Sequence, residues 1–236
     1  MKAVAVIPAR GGSKRIPHKN IKVFAGKPII AYSIEAALDS ELFEKVVVST
    51  DDEEIATVAR SFGAEVPFFR PKALSDDHTG TNSVVKHCIN WFRDNGEQFD
   101  YICCIYATAP FLRPSSLKEG VEKLTANGKS YAFSVTSYPF PIQRALRINS
   151  EGCVEALNPE HIFSRSQDLE DAYHDAGQFY WGRAAAFLKD EVVFSPNSVP
   201  VVLPRYLVQD IDTQEDWVRA ELMYQAWKTS GETMCE

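Results

Sequence analysis

Short apolar runs alternate with stretches whose apolar residues recur every three or four positions, along residues 1–137 and again from residue 199. An apolar run bounded by turn residues is typical of a buried strand, and the longer spacing is typical of one helix face. The runs predict six strands, at residues 3–8, 46–50, 66–69, 101–106, 131–137 and 199–203.

Capping residues mark where the helices between these strands begin and end. Thr50 and Glu53 have the spacing of a capping box, and the helix that follows should stop at Gly63. Thr213 and Asp216 mark the start of the last helix in the same way. The other predicted helices are one after Pro28 with apolar residues at 30, 34, 37 and 38, one capped by Thr81 that ends near Asn95, and one around residues 116–124.

Strands that alternate with helices in this order predict βαβ units, and hence a mostly parallel sheet with helices on both faces. The expected fold is therefore an α/β, Rossmann-like three-layer αβα arrangement, in a single domain over residues 1–236. Residues 138–185 depart from the pattern, because they are rich in proline, aromatic and turn residues. We interpret 138–185 as an excursion that carries substrate contacts, a subunit interface or both.

Charge is distributed unevenly along the chain. Lysine and arginine number 25 against 32 acidic residues, a net charge of −7 that argues against a nucleic-acid or anionic-membrane surface. Seven of the cations lie within residues 1–34, and the first acidic residue is Glu35. This asymmetry predicts a local anion site. Five irregularly spaced cysteines predict buried thiols, and without a signal core or membrane span we expect a soluble, cytoplasmic protein.

The segment after the first predicted strand, PARGGSKRIPHKN at residues 8–20, concentrates this positive charge. Ligands of open parallel sheets bind beyond the carboxyl ends of the strands, where this loop lies. Two adjacent glycines allow backbone N–H groups to approach an anion, and four cations surround them, which favours a polyphosphate. The loop matches neither the Walker A pattern nor the GxGxxG fingerprint, and the alternative is a solvated basic turn.

A second candidate is the acidic pair Asp210 and Asp212. Alternate residues of a strand face the same side, so both carboxylates can converge on one cation. Mg²⁺, or another hard divalent cation, prefers such ligands and leaves room for phosphates. The alternative is that the pair caps the helix that begins after Thr213.

Several strings resemble the cytidylyltransferases that make CMP-linked nine-carbon acidic sugars, namely sialic, legionaminic and pseudaminic acids. They are IPARGGSKRIPHKN, VSTDDEEIA, FRPKALSDDHTGT, ATAPFLR and DIDTQEDW. FSVTSYPFPIQRAL, RSQDLEDAYHDAGQFYWG and VVLPRYLVQDIDT are most similar to the pseudaminic acid branch. The resemblance implies the nucleotide-diphospho-sugar transferase type of α/β fold, a homodimer formed through 138–185, and transfer of CMP from CTP to a nonulosonic acid with release of pyrophosphate.

The resemblance also implies residue roles. Arg10 would contact the triphosphate, Lys19 would neutralise phosphate charge and Asn20 would read the cytosine. Catalysis would rest on Arg10, Lys19 and the metal ligands Asp210 and Asp212. The residues expected to bind CTP are Ala9, Arg10, Gly11, Gly12, Ser13, Lys19, Asn20, Arg70 and Thr81. Asp77 and Thr79 resemble part of the ribose- and base-contacting loop, or make a turn.

The expected sugar contacts are Tyr106, Arg165 and Gln178. Tyr106 stands where sialic acid enzymes have a glutamine (QPTSP there, YATAP here), which favours a different sugar. A buried glutamine in a strand pair is the alternative for Gln178. The cation for the sugar carboxylate is left open among Arg144, Arg147 and Arg165, and His78 and His174 are candidate bases by residue type only.

Three alternatives remain at this point. A CMP-legionaminic or CMP-sialic acid synthetase would share the loop and the acidic pair. A glycosyltransferase with a DxD motif would hydrolyse a donor sugar rather than consume CTP. A non-catalytic nucleotide-binding module would bind CTP without releasing pyrophosphate.

Overall fold

A six-stranded sheet forms the centre of the fold. The computed structural model describes residues 1–77 and 79–230. The strands are β1 (Ala3–Pro8), β2 (Val23–Phe24), β3 (Lys27–Pro28), β4 (Lys45–Ser49), β5 (Tyr101–Ile105), β6 (Tyr131–Ser137), β7 (Leu146–Ile148), β8 (Val154–Ala156), β9 (Tyr173–Arg183) and β10 (Ser198–Val202). The helices are α1 (Ile29–Asp39), α2 (Glu53–Ser61), α3 (Thr81–Asp94), α4 (Pro114–Ala126), α5 (Ala184–Leu188) and α6 (Gln214–Thr229).

The strand order is β10-β6-β9-β5-β1-β4, and the pairs β10–β6, β5–β1 and β1–β4 are parallel. Only β9, among these six, runs antiparallel to its neighbours. The carboxyl ends of the five parallel strands therefore share one edge of the sheet. Loops from distant parts of the sequence meet at that edge, which is the usual ligand position in open α/β sheets.

Helices cover both faces of the sheet, as the sequence predicts. Ala5 and Ile7 of β1 pack in one buried cluster with residues of α1, α2 and α4. Val4 and Val6 of the same strand pack in a second cluster with α3 and α5. Because both faces are covered, the strands are apolar on both sides and read as continuous hydrophobic runs. The predicted three-layer α/β fold is confirmed.

A third buried cluster ties the two ends of the chain together. Phe24 makes edge-to-face contacts with Trp217 and Tyr224 of α6, with ring centroids 5.5 Å apart in both pairs. Ile16 from the first loop and Ile211 from the segment before α6 belong to the same cluster, each at most 2% exposed. Packing of these two apolar side chains brings the basic loop against the acidic pair, although they lie nearly 200 residues apart in sequence.

The structure corrects several predicted boundaries. Asp52, not Thr50, caps α2, since its carboxylate accepts from the backbone N–H groups of Glu54 and Ile55. The predicted strand 66–69 is wrong, because the backbone pairing of this segment with the sheet is limited to one isolated bridge between Phe69 and Thr50 in the part of the chain that the structure describes. At α3 the N-cap is Gly80 rather than Thr81. The capping box of Thr213 and Asp216 is confirmed.

Residues 138–185 divide into two parts. The last part holds β9, which lies between β5 and β6 in the central sheet and is not an excursion from it. Gly177 has a positive φ of 61°, and the register with β6 shifts between Phe133 and Val135. This irregularity breaks the period-two pattern by which a strand is recognised. Residues 138–172 remain outside the sheet and contain the small hairpin of β7 and β8.

The cysteines lie largely as expected. Cys88, Cys103 and Cys104 are buried free thiols, but Cys153 is exposed beside the β7–β8 hairpin, so the prediction of burial is wrong there. Cys235 lies outside the described residues. Among the helices of the described chain, none combines the length and apolarity that crossing a membrane requires.

Candidate nucleotide-binding site

A cavity of about 330 Å³ opens at the carboxyl edge of the sheet, where the first loop faces the segments around Asp76 and Tyr106. The fourteen residues that the sequence assigns to catalysis, CTP, the sugar or a metal divide into two groups around it, and Asp77 and Thr79 line it as well. Eight line the cavity: Arg10, Ser13, Lys19, Asn20, Arg70, Thr81, Tyr106 and Asp212. Six lie outside its lining: Ala9, Gly11, Gly12, Arg165, Gln178 and Asp210.

Arg10 and Lys14 project from the first loop towards an acidic turn. The Arg10 guanidinium lies 2.9 Å from Oδ1 of Asp77, and it also donates to the backbone carbonyl of Asp76. Lys14 pairs with the other carboxylate oxygen of Asp77. Both oxygens of this one carboxylate therefore engage cations that the sequence assigns to a polyphosphate.

Lys19 and Arg15, which also line the cavity, make similar contacts with the segment around Asp212. Lys19 Nζ donates to the Ile211 carbonyl at 2.7 Å and lies 3.3 Å from Oδ1 of Asp212. Arg15 lies 3.0 Å from the same oxygen. These contacts join the first loop to the DxD segment, so the candidate phosphate and metal residues belong to one site.

Arg70 forms a buried part of the cavity wall. Its side chain is only 4% exposed, and burial lowers the pKa of the guanidinium. Nε and Nη2 have no hydrogen-bond partner in the part of the chain that the structure describes. Buried N–H donors normally find acceptors, so the unpartnered donors of Arg70 are suited to the oxygens of an anionic ligand.

The glycines and Asn20 shape the first loop from within. A Cβ on Gly11 would lie 2.5 Å from a carboxylate oxygen of Asp52, so only glycine fits this close approach. Nothing lies within 4 Å of a Cβ built on Gly12, which leaves space beside the backbone there. Asn20 donates from Nδ2 to the Arg10 carbonyl at 2.9 Å, and the Ala9 N–H donates to the carbonyl of Ser49. In this structure Asn20 therefore holds the loop as well as lining the cavity.

Asp210 and Asp212 flank the buried Ile211 but do not lie in a strand, which corrects the predicted geometry. Desolvation by surrounding protein atoms, together with the neighbouring Asp212 carboxylate, raises the pKa of Asp210. Carboxylates that repel one another favour a nearby divalent cation, and hard oxygens suit Mg²⁺. No cluster of three or more His, Cys, Asp or Glu side chains suited to a metal occurs among the described residues. The pair thus fits a cation completed by phosphate oxygens and water.

Tyr106 lines the cavity next to a second tyrosine. Its ring centroid lies 5.4 Å from that of Tyr180, and its hydroxyl interacts with Thr81 and Tyr180. Burial raises the pKa of Tyr106, so the phenol is neutral and retains its proton to donate. The Tyr180 hydroxyl donates in turn to Asp175. Tyr106 is consequently held in place and presents a polar group at the cavity.

The other expected sugar contacts lie elsewhere. Gln178 is 4% exposed and donates from Nε2 to the Leu207 carbonyl at 2.6 Å. This position matches the alternative of a buried glutamine in a strand pair. Arg165 pairs with Asp168 at 2.7 Å, outside the cavity lining. Three further candidates are absent from that lining: Arg144, Arg147 and His174. His78 lies outside the described residues.

Two acidic residues make contacts at the site that the sequence alone does not indicate. Asp77, which the resemblance places in the ribose- and base-contacting loop, pairs with Arg10 and Lys14. Asp51, for which the sequence predicts no ligand contact, accepts from the Gly11 N–H at 3.1 Å. Its position immediately after a strand that ends at this edge of the sheet was the available signal.

A polyphosphate that binds Arg10 and Lys14 would have to displace Asp77 from them. We therefore expect Asp77→Asn to lower the KM for CTP by about threefold, since a partly exposed ion pair of this kind contributes up to about 1 kcal/mol. Steady-state kinetics with CTP as the varied substrate measures the effect. Asp94→Asn, which removes an exposed charge at the end of α3, is the control and should leave KM unchanged. A higher KM for Asp77→Asn would show that Asp77 supports CTP binding instead.

A mostly parallel sheet with a cationic glycine loop and an acidic pair at its carboxyl edge is typical of an α/β nucleotide-binding protein. Comparison with known proteins agrees with this class. The protein-family model described as cytidylyltransferase matches residues 4–230. The chain belongs to this cytidylyltransferase family, and it is an enzyme of the nucleotidyltransferase class.

Two relatives define its position within the family. The chain is 48% identical over 224 residues to pseudaminic acid cytidylyltransferase of Campylobacter jejuni subsp. jejuni serotype O:23/36 (strain 81-176), with 95% of this chain and 97% of the relative covered. It is 36% identical over 228 residues to CMP-N,N'-diacetyllegionaminic acid synthase of Legionella pneumophila subsp. pneumophila, with 94% and 95% covered. The resemblance inferred from the sequence is confirmed.

A solved structure supports the same fold. CMP:2-keto-3-deoxy-manno-octonic acid synthetase, complexed with CTP, matches with a TM-score of 0.69 and covers 96% of this chain and 100% of its own. The two sequences are 19% identical, so this likeness concerns the fold alone.

Proposed function

We propose that this enzyme transfers CMP from CTP to pseudaminic acid and releases pyrophosphate. The observation that carries the proposal is the convergence of Arg10, Lys19 and Arg70 on one cavity, with Asp212 beside Lys19. The high identity to relatives named pseudaminic acid cytidylyltransferase supports the choice of both substrates.

In the proposed reaction the anomeric hydroxyl of the sugar attacks the α-phosphorus of CTP, and the bond to the departing pyrophosphate breaks. Arg10, Lys14 and Lys19 stabilise the charge that develops on the pyrophosphate oxygens. Such preorganised electrostatic contacts dominate the catalysis of phosphoryl-type transfers. Arg70 adds N–H donors that binding of the nucleotide would satisfy.

Asp210 and Asp212 are the proposed ligands of Mg²⁺. When bound, a divalent cation supplies Lewis-acid polarisation of a phosphate oxygen and helps to orient the reactants. Lys19 and Arg15 contact Asp212, so this member of the acidic pair is fixed relative to the basic loop.

Tyr106 is the proposed polar contact to the sugar. Tyr106 lines the cavity, and the interactions of its hydroxyl with Thr81 and Tyr180 limit its rotation. A buried hydroxyl that hydrogen-bonds one sugar substituent discriminates strongly against a sugar that leaves it unpaired. This supports pseudaminic acid over a sugar recognised through a glutamine at the same position.

The experiment that tests the choice of sugar measures pyrophosphate release with CTP and Mg²⁺. Pseudaminic, legionaminic and N-acetylneuraminic acids are compared at equal concentrations. We expect the highest kcat/KM with pseudaminic acid. A higher value with either other sugar would overturn the substrate assignment, and nucleotide-sugar hydrolysis without CTP turnover would indicate a glycosyltransferase.

We propose that two copies of the chain associate through residues 138–172. This segment exposes large apolar side chains, such as Phe163 at 96% and Ile148 at 76%. Exposed apolar groups clustered on one projecting element are typical of a protein–protein interface. A second copy is the proposed partner, since the sequence resemblance implies a homodimer.

Light scattering after size exclusion tests this association. Ile148 pairs across the hairpin with Val154, so replacement of both by glutamate puts two charges into the proposed interface. We expect twice the chain mass of 26.4 kDa for the unmodified protein and the chain mass for the double variant. Leu222→Glu changes an equally exposed apolar residue of α6 and should leave the mass unchanged. An unmodified protein that runs as a monomer at micromolar concentration would refute the proposed dimer.

A further inference from the structure

Asp51 connects two walls of the cavity that are distant in sequence. It follows β4, and its Oδ1 accepts from the backbone N–H of Gly11 at 3.1 Å. The same oxygen lies 3.9 Å from Nη2 of Arg70. One carboxylate oxygen therefore contacts the backbone of the first loop and also faces the buried guanidinium of Arg70.

The backbones of both walls are fixed to the end of the same strand. The Ala9 N–H donates to the Ser49 carbonyl at 2.9 Å, and the Arg70 N–H donates to the Thr50 carbonyl at 2.7 Å. Asp51 is the next residue after these two acceptors. Its side chain thus adds further contacts to the same two walls that the backbone carbonyls of Ser49 and Thr50 already hold.

Arg70 needs a negative charge nearby because its side chain is almost completely buried. Asp51 is its acidic ion-pair partner among the described residues, and it offsets part of the effect by which burial lowers the pKa of Arg70. A buried cation without compensation is strongly unfavourable. Without Asp51 we expect the guanidinium to leave its position in the cavity wall.

The distance between Asp51 and Arg70 matters as much as the charge. At 3.9 Å the carboxylate stabilises the guanidinium electrostatically but is too far away to accept a hydrogen bond. Nε and Nη2 of Arg70 consequently remain unpartnered. The arginine is held in place while its donors stay available to a ligand.

Helix capping does not explain Asp51, because the adjacent residue performs that role. Asp52 accepts from Glu54 and Ile55 at the start of α2. We infer that Asp51 is a positioning residue for CTP binding, which aligns Arg70 and the Gly11 backbone with the nucleotide. This inference rests on the proposed use of CTP.

The test measures CTP binding by calorimetry, with Mg²⁺ and without sugar. Asp51→Asn keeps an oxygen for the Gly11 N–H but removes the charge that faces Arg70. We expect it to weaken CTP binding about tenfold, the scale of one misaligned hydrogen bond to a charged group. Asp51→Glu, which keeps the charge, should stay within threefold of the unmodified protein.

A double-mutant cycle identifies the route of the effect. In the Arg70→Ala background, we expect Asp51→Asn to change CTP binding by less than twofold, because the residue it positions is gone. Glu53→Gln removes an exposed charge two residues away, one that pairs with Arg60 at 3.6 Å, and should have no effect. Thermal unfolding of each variant identifies any loss of folding.

Each contrary outcome has a distinct meaning. Unchanged or tighter CTP binding by Asp51→Asn would overturn the positioning role. An equal loss with and without Arg70 would show that Asp51 does not act through that residue, which also overturns the inference. Failure of the unmodified protein to bind CTP would instead overturn the proposed function on which the inference rests.

Discussion

Arg10→Ala is expected to lower kcat by about 10²–10³-fold while the protein remains folded. The guanidinium is about one-third exposed and contacts Asp76 and Asp77 across the cavity, so its loss leaves the hydrophobic core intact. Removal of one preorganised contact to developing charge costs about 2.7–4 kcal/mol of transition-state stabilisation. Pyrophosphate release at saturating CTP and sugar measures the effect.

Two companion variants separate charge from geometry at this position. Arg10→Lys keeps a cation but loses the planar fork that matches phosphate oxygens, and we expect an intermediate rate. Lys118→Ala removes an exposed cation on α4, far from the cavity, and should retain the full rate. A near-normal rate for Arg10→Ala would contradict the triphosphate role of Arg10.

Asp212→Asn is expected to cause a loss of similar size, about 10²–10³-fold in kcat. The substitution removes a proposed metal ligand and the anion that Lys19 and Arg15 contact at 3.3 and 3.0 Å. Both ion pairs are partly exposed, so we expect little change in thermal stability. Asp39→Asn at the end of α1 is the control and should leave both rate and stability unchanged.

The same experiment includes removal of divalent cations. Chelation should abolish pyrophosphate release by the unmodified protein, and added Mg²⁺ should restore it. Asp212→Asn should need a higher Mg²⁺ concentration for its residual rate. Turnover of Asp212→Asn within threefold of normal, at the normal Mg²⁺ requirement, would exclude this carboxylate as a ligand.

The fold was largely predictable because its strands and helices have strong local patterns. Parallel strands such as β1 are buried on both faces and are recognisable in the sequence as apolar runs. The antiparallel strand β9 is not recognisable in this way. Gly177 and the shift of register opposite it interrupt the alternation of β9. The N-cap of α2 was predicted wrongly for a similar local reason. Thr50 and Asp52 both have side chains that can cap a helix, and the sequence does not show at which of them the helix begins.

The site was predictable in its parts but not in its connections. The basic loop and the DxD pair were visible because charged residues cluster there in sequence. The contacts of Arg10 with Asp77 and of Lys19 with Asp212 join segments 67 and 193 residues apart, and no local pattern encodes them. The position of Gln178 was unpredictable for the same reason, since its partner, the Leu207 carbonyl, lies close to it only in the folded chain.

The most direct measurement is phosphorus NMR of a reaction that contains the protein, CTP, Mg²⁺ and pseudaminic acid. We predict that the CTP signals fall while one phosphodiester signal of a CMP-linked sugar and the pyrophosphate signal appear in equal amounts. Omission of the sugar should leave CTP intact. Unchanged CTP with every component present, or formation of free CMP in place of the phosphodiester, would contradict the proposed cytidylyl transfer.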